Sequence, residues 1–360
     1  MSWLGVVGHD DVVERFRRAL ARGRLASSFL FVGPPGVGKR TFALRLGQAL
    51  LCQTRPEELL DPCGTCPACL QVLAGSHPDL EVIAKPADKS FIPLELLIGD
   101  KEHRAREGLC HHLALRPYMG GRRVAVIDDA DFLNAEGANC LLKTLEEPPP
   151  RSVLILIGTS PSRQLPTIRS RCQLVRFQPL PAELVAELLA TNALVADPQL
   201  AQRVSLYSEG SLQRALELAD PALWEFRGRL YARLAAPLLE SVALAKEVLV
   251  HVEEAGREAS LRRRRLRQVL AMAADFYRSL LRCLAGLPLG DDKDLGRAIQ
   301  QVMAAGQADP DTVAASLERT LEAAEQVDRN ANQATLIEAW LDDLAGLARR
   351  LVLARRGAIR

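Results

Sequence analysis

Cys52, Cys63, Cys66 and Cys69 follow the spacing C-x10-C-x2-C-x2-C, with Pro62, Gly64 and Pro67 placed to turn the chain tightly between them. Four thiolates brought to one point hold Zn²⁺ with no open position, which is a structural rather than a catalytic arrangement. The bacterial ferredoxin run sets its fourth Cys downstream, before Pro, whereas here the fourth lies upstream; an iron–sulfur cluster or a disulfide remains the alternative to zinc. Cys110, Cys140, Cys172 and Cys283 are isolated and read as buried or neutral residues, and His111-His112 beside Cys110 lacks a convincing set of further ligands.

Gly33-Pro34-Pro35-Gly36-Val37-Gly38-Lys39 has the form G-x-x-x-x-G-K, between an apolar run and a helical pattern. Its glycines let backbone N–H groups approach phosphate oxygens, and Lys39 supplies a point charge for the terminal phosphates, so ATP and Mg²⁺ are the implied ligands. The motif then departs from its rule: Arg40 stands where a Ser or Thr hydroxyl ligates Mg²⁺. Thr41, one residue on, is rotated by about 100°. Val124 to Ile127 is an apolar strand ending in Asp128-Asp129, where a phosphate-loop protein orients the metal and polarises water. Asp128 suits the metal; Asp129 is shorter than the Glu that commonly activates water. Intrinsic hydrolysis is therefore expected to be weak or absent. The plainer alternatives are a vestigial loop and carboxylates that only cap the following turn.

Thr167-Ile168-Arg169-Ser170-Arg171-Cys172 ends a short helical stretch just before a strand. From there the fork of Arg171 could protrude and neutralise a transferring phosphoryl group held by another chain. Taken alone, a surface arginine is more often a solvated charge.

These residues need an α/β frame. Ser28 to Val32, Leu80 to Ala84, Arg123 to Ile127, Val153 to Ile157 and Leu174 to Phe177 read as strands, with helical patterns between them, Asp10 to Leu25 and Thr41 to Leu51 among them. That alternation predicts a parallel sheet covered on both faces. From Pro181 the text turns Ala-, Leu- and Glu-rich, breaks at Gly210-Ser211, and stays helical beyond Pro221 except for a loop at Gly286 to Asp292. The expected division is an α/β domain over 1–177 carrying the cysteine module at about 52–77, a small helical lid over 178–220 and a helical domain over 221–360. At 360 residues with a net charge of +2, the chain has no global basic signature, so any nucleic-acid contact is local. The run Arg262 to Arg265 with Arg267 points all round a helix and suits a solvated or partner-facing surface better than base reading. No apolar stretch of membrane-spanning length occurs, and the thiols fit a reducing cytoplasm.

Together these features resemble the clamp-loader AAA+ family of bacterial DNA polymerase III. The likeness is carried by the phosphate loop with its cysteine insertion, Asn139-Cys140-Leu141-Leu142-Lys143-Thr144-Leu145-Glu146-Glu147-Pro148-Pro149, the triplet Ser170-Arg171-Cys172, and Gly210-Ser211-Leu212-Gln213-Arg214. It covers residues 3 to about 220 well and the rest by length and composition. It implies a AAA+ module and lid followed by a collar domain in a pentameric ring, with Arg171 as the arginine finger for ATP on an adjacent motor subunit. Arg214 would be the sensor arginine of the lid. The implied partners are the gamma/tau motor and delta subunits, the sliding clamp and primer–template DNA, with Arg104, Arg106, Arg122 and Arg123 as weak candidates for backbone contact. Arg40 and Asp129 favour a stator subunit that completes a neighbour's site. An ATP-hydrolysing motor subunit and a scaffold that binds no nucleotide are the alternatives.

Overall fold

The computed structural model describes residues 3–86, 89–100, 102–103, 106–289, 292–306, 308–329 and 331–358. They form two compact units, 1–219 and 220–360.

The first unit runs α1 (Asp10–Ala21), β1 (Ser28–Val32), α2 (Lys39–Leu51), α3 (Pro67–Leu73), β2 (Leu80–Ile83), α4 (Leu94–Ile98), α5 (Leu109–Ala114), β3 (Arg123–Ile127), α6 (Ala135–Glu146), β4 (Ser152–Gly158), α7 (Pro166–Arg169) and β5 (Gln173–Arg176). Three further helices follow: α8 (Ala182–Thr191), α9 (Pro198–Tyr207) and α10 (Leu212–Glu217). The five strands are parallel and lie in the order β2-β3-β4-β1-β5. Parallel strands require long crossovers, and the helices that make them cover both faces of the sheet. This explains why β1, with every residue of Ser28-Phe-Leu-Phe-Val32 buried, shows no alternation of apolar with polar. Phe29 and Phe31 point to one face, packing with Phe16 of α1 and Phe42 of α2. Leu30 and Val32 point to the other, among Leu97, Leu109 and Leu141.

Two boundaries differ from the pattern. The first helix stops at Ala21 rather than Leu25, because Gly23 takes a left-handed φ of 62° and Arg22 caps the helix. The second begins at Lys39, two residues early, since left-handed Gly38 (φ 100°) delivers the chain directly into helical geometry. The strands shift by no more than a residue or so at their ends.

The second unit contains α11 (Pro221–Leu234), α12 (Ser241–Glu253), α13 (Ala259–Leu284), α14 (Lys293–Ala304), α15 (Pro310–Asp328) and α16 (Gln333–Ala358). Along α13 the buried residues Leu266, Val269, Leu270, Ala273, Phe276 and Leu280 recur at helical spacing and form one stripe. The indole of fully buried Trp340 donates from Nε1 to Thr320 Oγ1 at 3.1 Å, so even this core tryptophan has its polar atom satisfied. Buried Arg227 pairs with Asp292. The described part of Gly286 to Asp292 lies outside the helices, and no helix among the described residues is long and apolar enough to cross a membrane.

Candidate functional site

In a parallel sheet all strand C-termini share one edge, and ligand crevices form there. The turn after β1 and the carboxylates after β3 meet at that edge in a cleft of about 850 Å³, a size suited to a small-molecule ligand. Its lining includes Gly36, Lys39, Thr41, Asp128 and Asp129.

Gly33, Gly36 and Gly38 all have positive φ (151°, 72° and 100°), conformations that side-chain-bearing residues rarely adopt. At two of the three there is no room for a side chain either: a Cβ on Gly33 would stand 2.3 Å from the carbonyl oxygen of Phe177, and one on Gly36 2.3 Å from Ser211 Oγ. His9, buried, contacts the Val37 carbonyl from Nε2 at 2.7 Å and packs edge-on against Phe177. On the other side Leu212 N–H, at the start of α10, donates to the Gly36 carbonyl at 3.1 Å. The Lys39 ammonium donates to the carbonyls of Gly33 and Pro34, both at 2.6 Å. Burial lowers its pKa to about 8, against the opposing pull of Asp128, Asp131 and Asp129.

A sign follows for binding. Lys39 with a pKa near 8 is half protonated at pH 8, and a phosphate brought against it favours the ammonium form and raises that pKa. ADP binding at pH 8 should therefore take up protons, and this uptake should fall as the pH drops, because Lys39 is then already charged and the terminal phosphate, with a second pKa of about 6, begins to release protons of its own. Calorimetry in buffers of different ionisation enthalpy measures this uptake; heats independent of buffer at pH 8 would contradict it.

Asp128 is not left open for a metal. Its Oδ2 lies 3.1 Å from Nε of Arg40, and its Oδ1 accepts the N–H of Asp129 at 3.1 Å. Asp129 is in the left-handed region (φ 57°), and burial together with the neighbouring Asp128 pushes its carboxyl pKa up. Asp131 is engaged as well, accepting from Thr159 N–H at 2.8 Å, from Thr159 Oγ1 at 2.5 Å and from Gln164 Nε2 at 2.8 Å. Mg²⁺ demands several hard oxygens in octahedral array. The hydroxyl position carries a cation instead, so this donor set does not fit the metal.

Arg171 follows the last turn of α7. Its guanidinium donates to the Thr167 carbonyl at 3.0 Å and to Ser170 Oγ at 3.2 Å, and pairs with Glu146 at 2.7 Å. The side chain is one-third exposed, and that of Glu146 is half exposed. Arg214 pairs with Glu209 at 2.8 Å and is not among the residues that line the cleft.

The ligand atoms of Cys52, Cys63, Cys66 and Cys69 all lie within 4.8 Å of one another. A tetrahedron of sulfurs 2.3 Å from a central ion has edges of ~3.8 Å, and Cys63 Sγ stands 3.9 Å from Cys69 Sγ. Backbone N–H groups of Arg55 and Cys63 point at Cys52 Sγ, that of Cys66 at Cys63 Sγ, and that of Cys69 at Cys66 Sγ, at 3.3 to 3.5 Å. Such donors stabilise thiolates. Donor type, separation and surroundings fit a structural zinc ion. The exposed trio Asp100, His103 and Glu107 is a weaker grouping with internal hydrogen bonds. Elsewhere, burial raises the thiol pKa of Cys110 and pushes that of Cys172 up to about 12.

The weak DNA candidates fare differently. Arg122 is bidentate to Glu57, from Nε at 2.5 Å and Nη2 at 2.6 Å, and Arg123 lies 3.6 Å from buried Asp79, so neither guanidinium stands free for phosphate. Arg104 lies outside the described residues. In the basic run, Arg262 donates to the Gly256 carbonyl, Arg265 pairs with Asp220 and Arg267 with Asp328.

The fold and this edge have the arrangement of a AAA+ module: a parallel sheet with β1 inserted between β4 and β5, a phosphate loop after β1, paired carboxylates after β3 and three helices after β5. Residues 8–181 match the family model described as DNA polymerase III, delta subunit. The chain is 34% identical over 215 residues to the DNA polymerase III subunit delta' of Pseudomonas aeruginosa, covering 55% of this chain and 61% of that one. It is 32% identical over 222 residues to the delta' subunit of Escherichia coli, covering 62% and 63%. With the tau subunit of Escherichia coli it shares 30% over 242 residues, 66% of this chain but 36% of tau. The chain thus spans less than two thirds of each of these relatives. By these matches the chain is similar to subunits of the bacterial clamp loader, delta' among them.

Proposed function

We propose that the chain acts as a delta-prime-like stator of the DNA polymerase III clamp loader, lending Arg171 to ATP held by a neighbouring motor subunit while the sliding clamp is loaded on primed DNA. The observation that carries this reading is the placement of Arg171 at the end of α7, partly exposed and held, among the described residues, by Thr167, Ser170 and the exposed Glu146. Exposed ion pairs contribute about 0 to 1 kcal/mol. A phosphoryl oxygen presented by a neighbour offers a stronger, charge-assisted partner, so Arg171 can leave Glu146 at little cost. Once there, its planar fork spreads positive charge over the oxygens of the phosphoryl group in flight.

The chain's own cleft supports the same assignment. Arg40 displaces the metal ligand, and Asp129, short and held in a left-handed turn, is poorly placed to activate water. In this reading the second unit serves as the collar through which the ring assembles, the cysteine cluster carries structural Zn²⁺, and the lid holds Arg214 as a sensor that must first release Glu209. The other loader subunits, the clamp and primer–template DNA are the partners, and the cytoplasm is the compartment, where eight unpaired thiols persist.

The test compares the isolated chain with the reconstituted loader. Alone, the chain should show no ATP turnover above the blank; added to motor and delta subunits, it should be required for clamp loading. Turnover by the isolated chain at about 1 s⁻¹, an ordinary enzymatic rate, would overturn the stator reading in favour of the motor.

A further inference from the structure

We propose that Arg40 replaces the metal of this phosphate loop, so that the cleft binds a nucleoside di- or triphosphate free of Mg²⁺. The inference rests on reading the cleft as a nucleotide site but is independent of Arg171.

The anion-binding half of the site is intact. Three glycines with positive φ turn the loop, His9 and Leu212 fix the Val37 and Gly36 carbonyls, and Lys39 stands at the first turn of α2. Backbone N–H groups at such a turn, with the helix dipole behind them, bind phosphate without help from a metal.

The cation-binding half has been rebuilt. A metal at a phosphate loop would bridge the hydroxyl after the lysine and the first carboxylate after β3. Here those two positions are joined directly, Arg40 Nε to Asp128 Oδ2 at 3.1 Å. The other Asp128 oxygen is held by the Asp129 N–H, and both oxygens of Asp131 are taken by Thr159 and Gln164. Asp129 alone remains, and one carboxylate beside a guanidinium is a poor invitation to a divalent cation. Arg40 is also exposed enough, at 60% of its side chain, for its remaining N–H donors to meet a phosphate from the side.

This wiring fixes the specificity. In an ordinary phosphate loop the protein contributes metal ligands, so removing Mg²⁺ weakens nucleotide binding. Here a permanent cation already neutralises Asp128, and Mg²⁺ in solution can only compete, by complexing the free nucleotide.

Equilibrium binding of fluorescent ADP to the full chain, in excess Mg²⁺ and in EDTA, tests this. Wild-type affinity should be equal in the two or tighter in EDTA. R40S restores the hydroxyl and frees Asp128, and should bind about tenfold tighter with Mg²⁺ than without it, a difference of about 1.4 kcal/mol. R40K keeps a cation there and should stay indifferent to the metal. K39A should abolish binding in both conditions. A wild-type chain that loses tenfold or more in EDTA would overturn the proposal, and so would one that binds ADP in neither condition or equally well without Lys39; none of these results would touch the role of Arg171. If R40S fails to fold, the wild-type and K39A comparison decides alone.

Discussion

Arg171→Ala is expected to lower ATP turnover at the adjacent site of a reconstituted loader by about 10³-fold, the low end of what an arginine supplied by a neighbour is worth. The comparison should use a complex in which only that adjacent site is competent to hydrolyse, since turnover elsewhere in the ring would mask the loss. Folding should be spared. The side chain is one-third exposed, its partner Glu146 is half exposed, and its other contacts are the Thr167 carbonyl and the neighbouring Ser170 hydroxyl. Losing such contacts costs less than about 1 kcal/mol, so the melting temperature should move by no more than a few degrees. Arg171→Lys keeps the charge but not the planar fork and should recover only part of the rate. Glu146→Ala removes the internal partner and should leave turnover unchanged or slightly raised. Undiminished turnover in the alanine variant, with the complex assembled, would remove Arg171 from the mechanism and leave the chain a scaffold.

What the sequence disclosed depended on how local the physics was. The central strands β1, β3 and β4 were legible because sheet burial on both faces leaves a near-continuous apolar run, which the edge strands Leu80–Ile83 and Gln173–Arg176 lack, and the helices of 221–360 because stripes such as Leu266 to Leu280 repeat at helical spacing. The phosphate loop and the cysteine cluster announced themselves because glycine turns and thiolate spacings are short-range requirements. The rewiring of the cleft was less visible. Arg40 signalled that a hydroxyl was missing, but its engagement with Asp128, 88 residues away, is a property of the parallel edge. His9 reads as one more polar residue before a helix, yet it contacts the carbonyl of Val37. Asp131, in the turn after β3, anchors Thr159 just past the end of β4 and Gln164 five residues further on. Arg122 and Arg123 look like free cations in the sequence, and only the fold supplies Glu57 and Asp79.

Removing zinc should cost the first unit about 4 kcal/mol. Finger peptides that owe all their structure to the ion draw about 10 to 16 kcal/mol from it, but this insertion has other anchors. Trp3 Nε1 donates to the Leu60 carbonyl at 2.8 Å, and fully buried Leu60 and buried Val72 belong to the same apolar cluster as Phe42 and Leu46 of α2. Gln48 reaches the Cys69 carbonyl at 3.4 Å. The segment between these anchors is different: beyond Ala68, its core consists of the cysteines themselves. Without a cation, four sulfurs within 4.8 Å of one another lose what holds them together. The loss should therefore melt the segment around Cys52 to Cys69 first and expose the edge of the α1–α2 cluster second. At about 2 to 4 °C per kcal/mol for a unit of this size, the melting temperature should fall by about 10 °C. The purified chain should carry one zinc per molecule by elemental analysis, released by a chelator once the thiols are modified. Hydrogen exchange of the stripped protein should rise around Cys52 to Cys69 while β1 and β4 stay protected. Cys66→Ser should reproduce both effects without chelation. A chain that purifies free of zinc, melts at the same temperature with and without chelator and titrates as four free thiols at these positions would show that the cluster closes by packing alone.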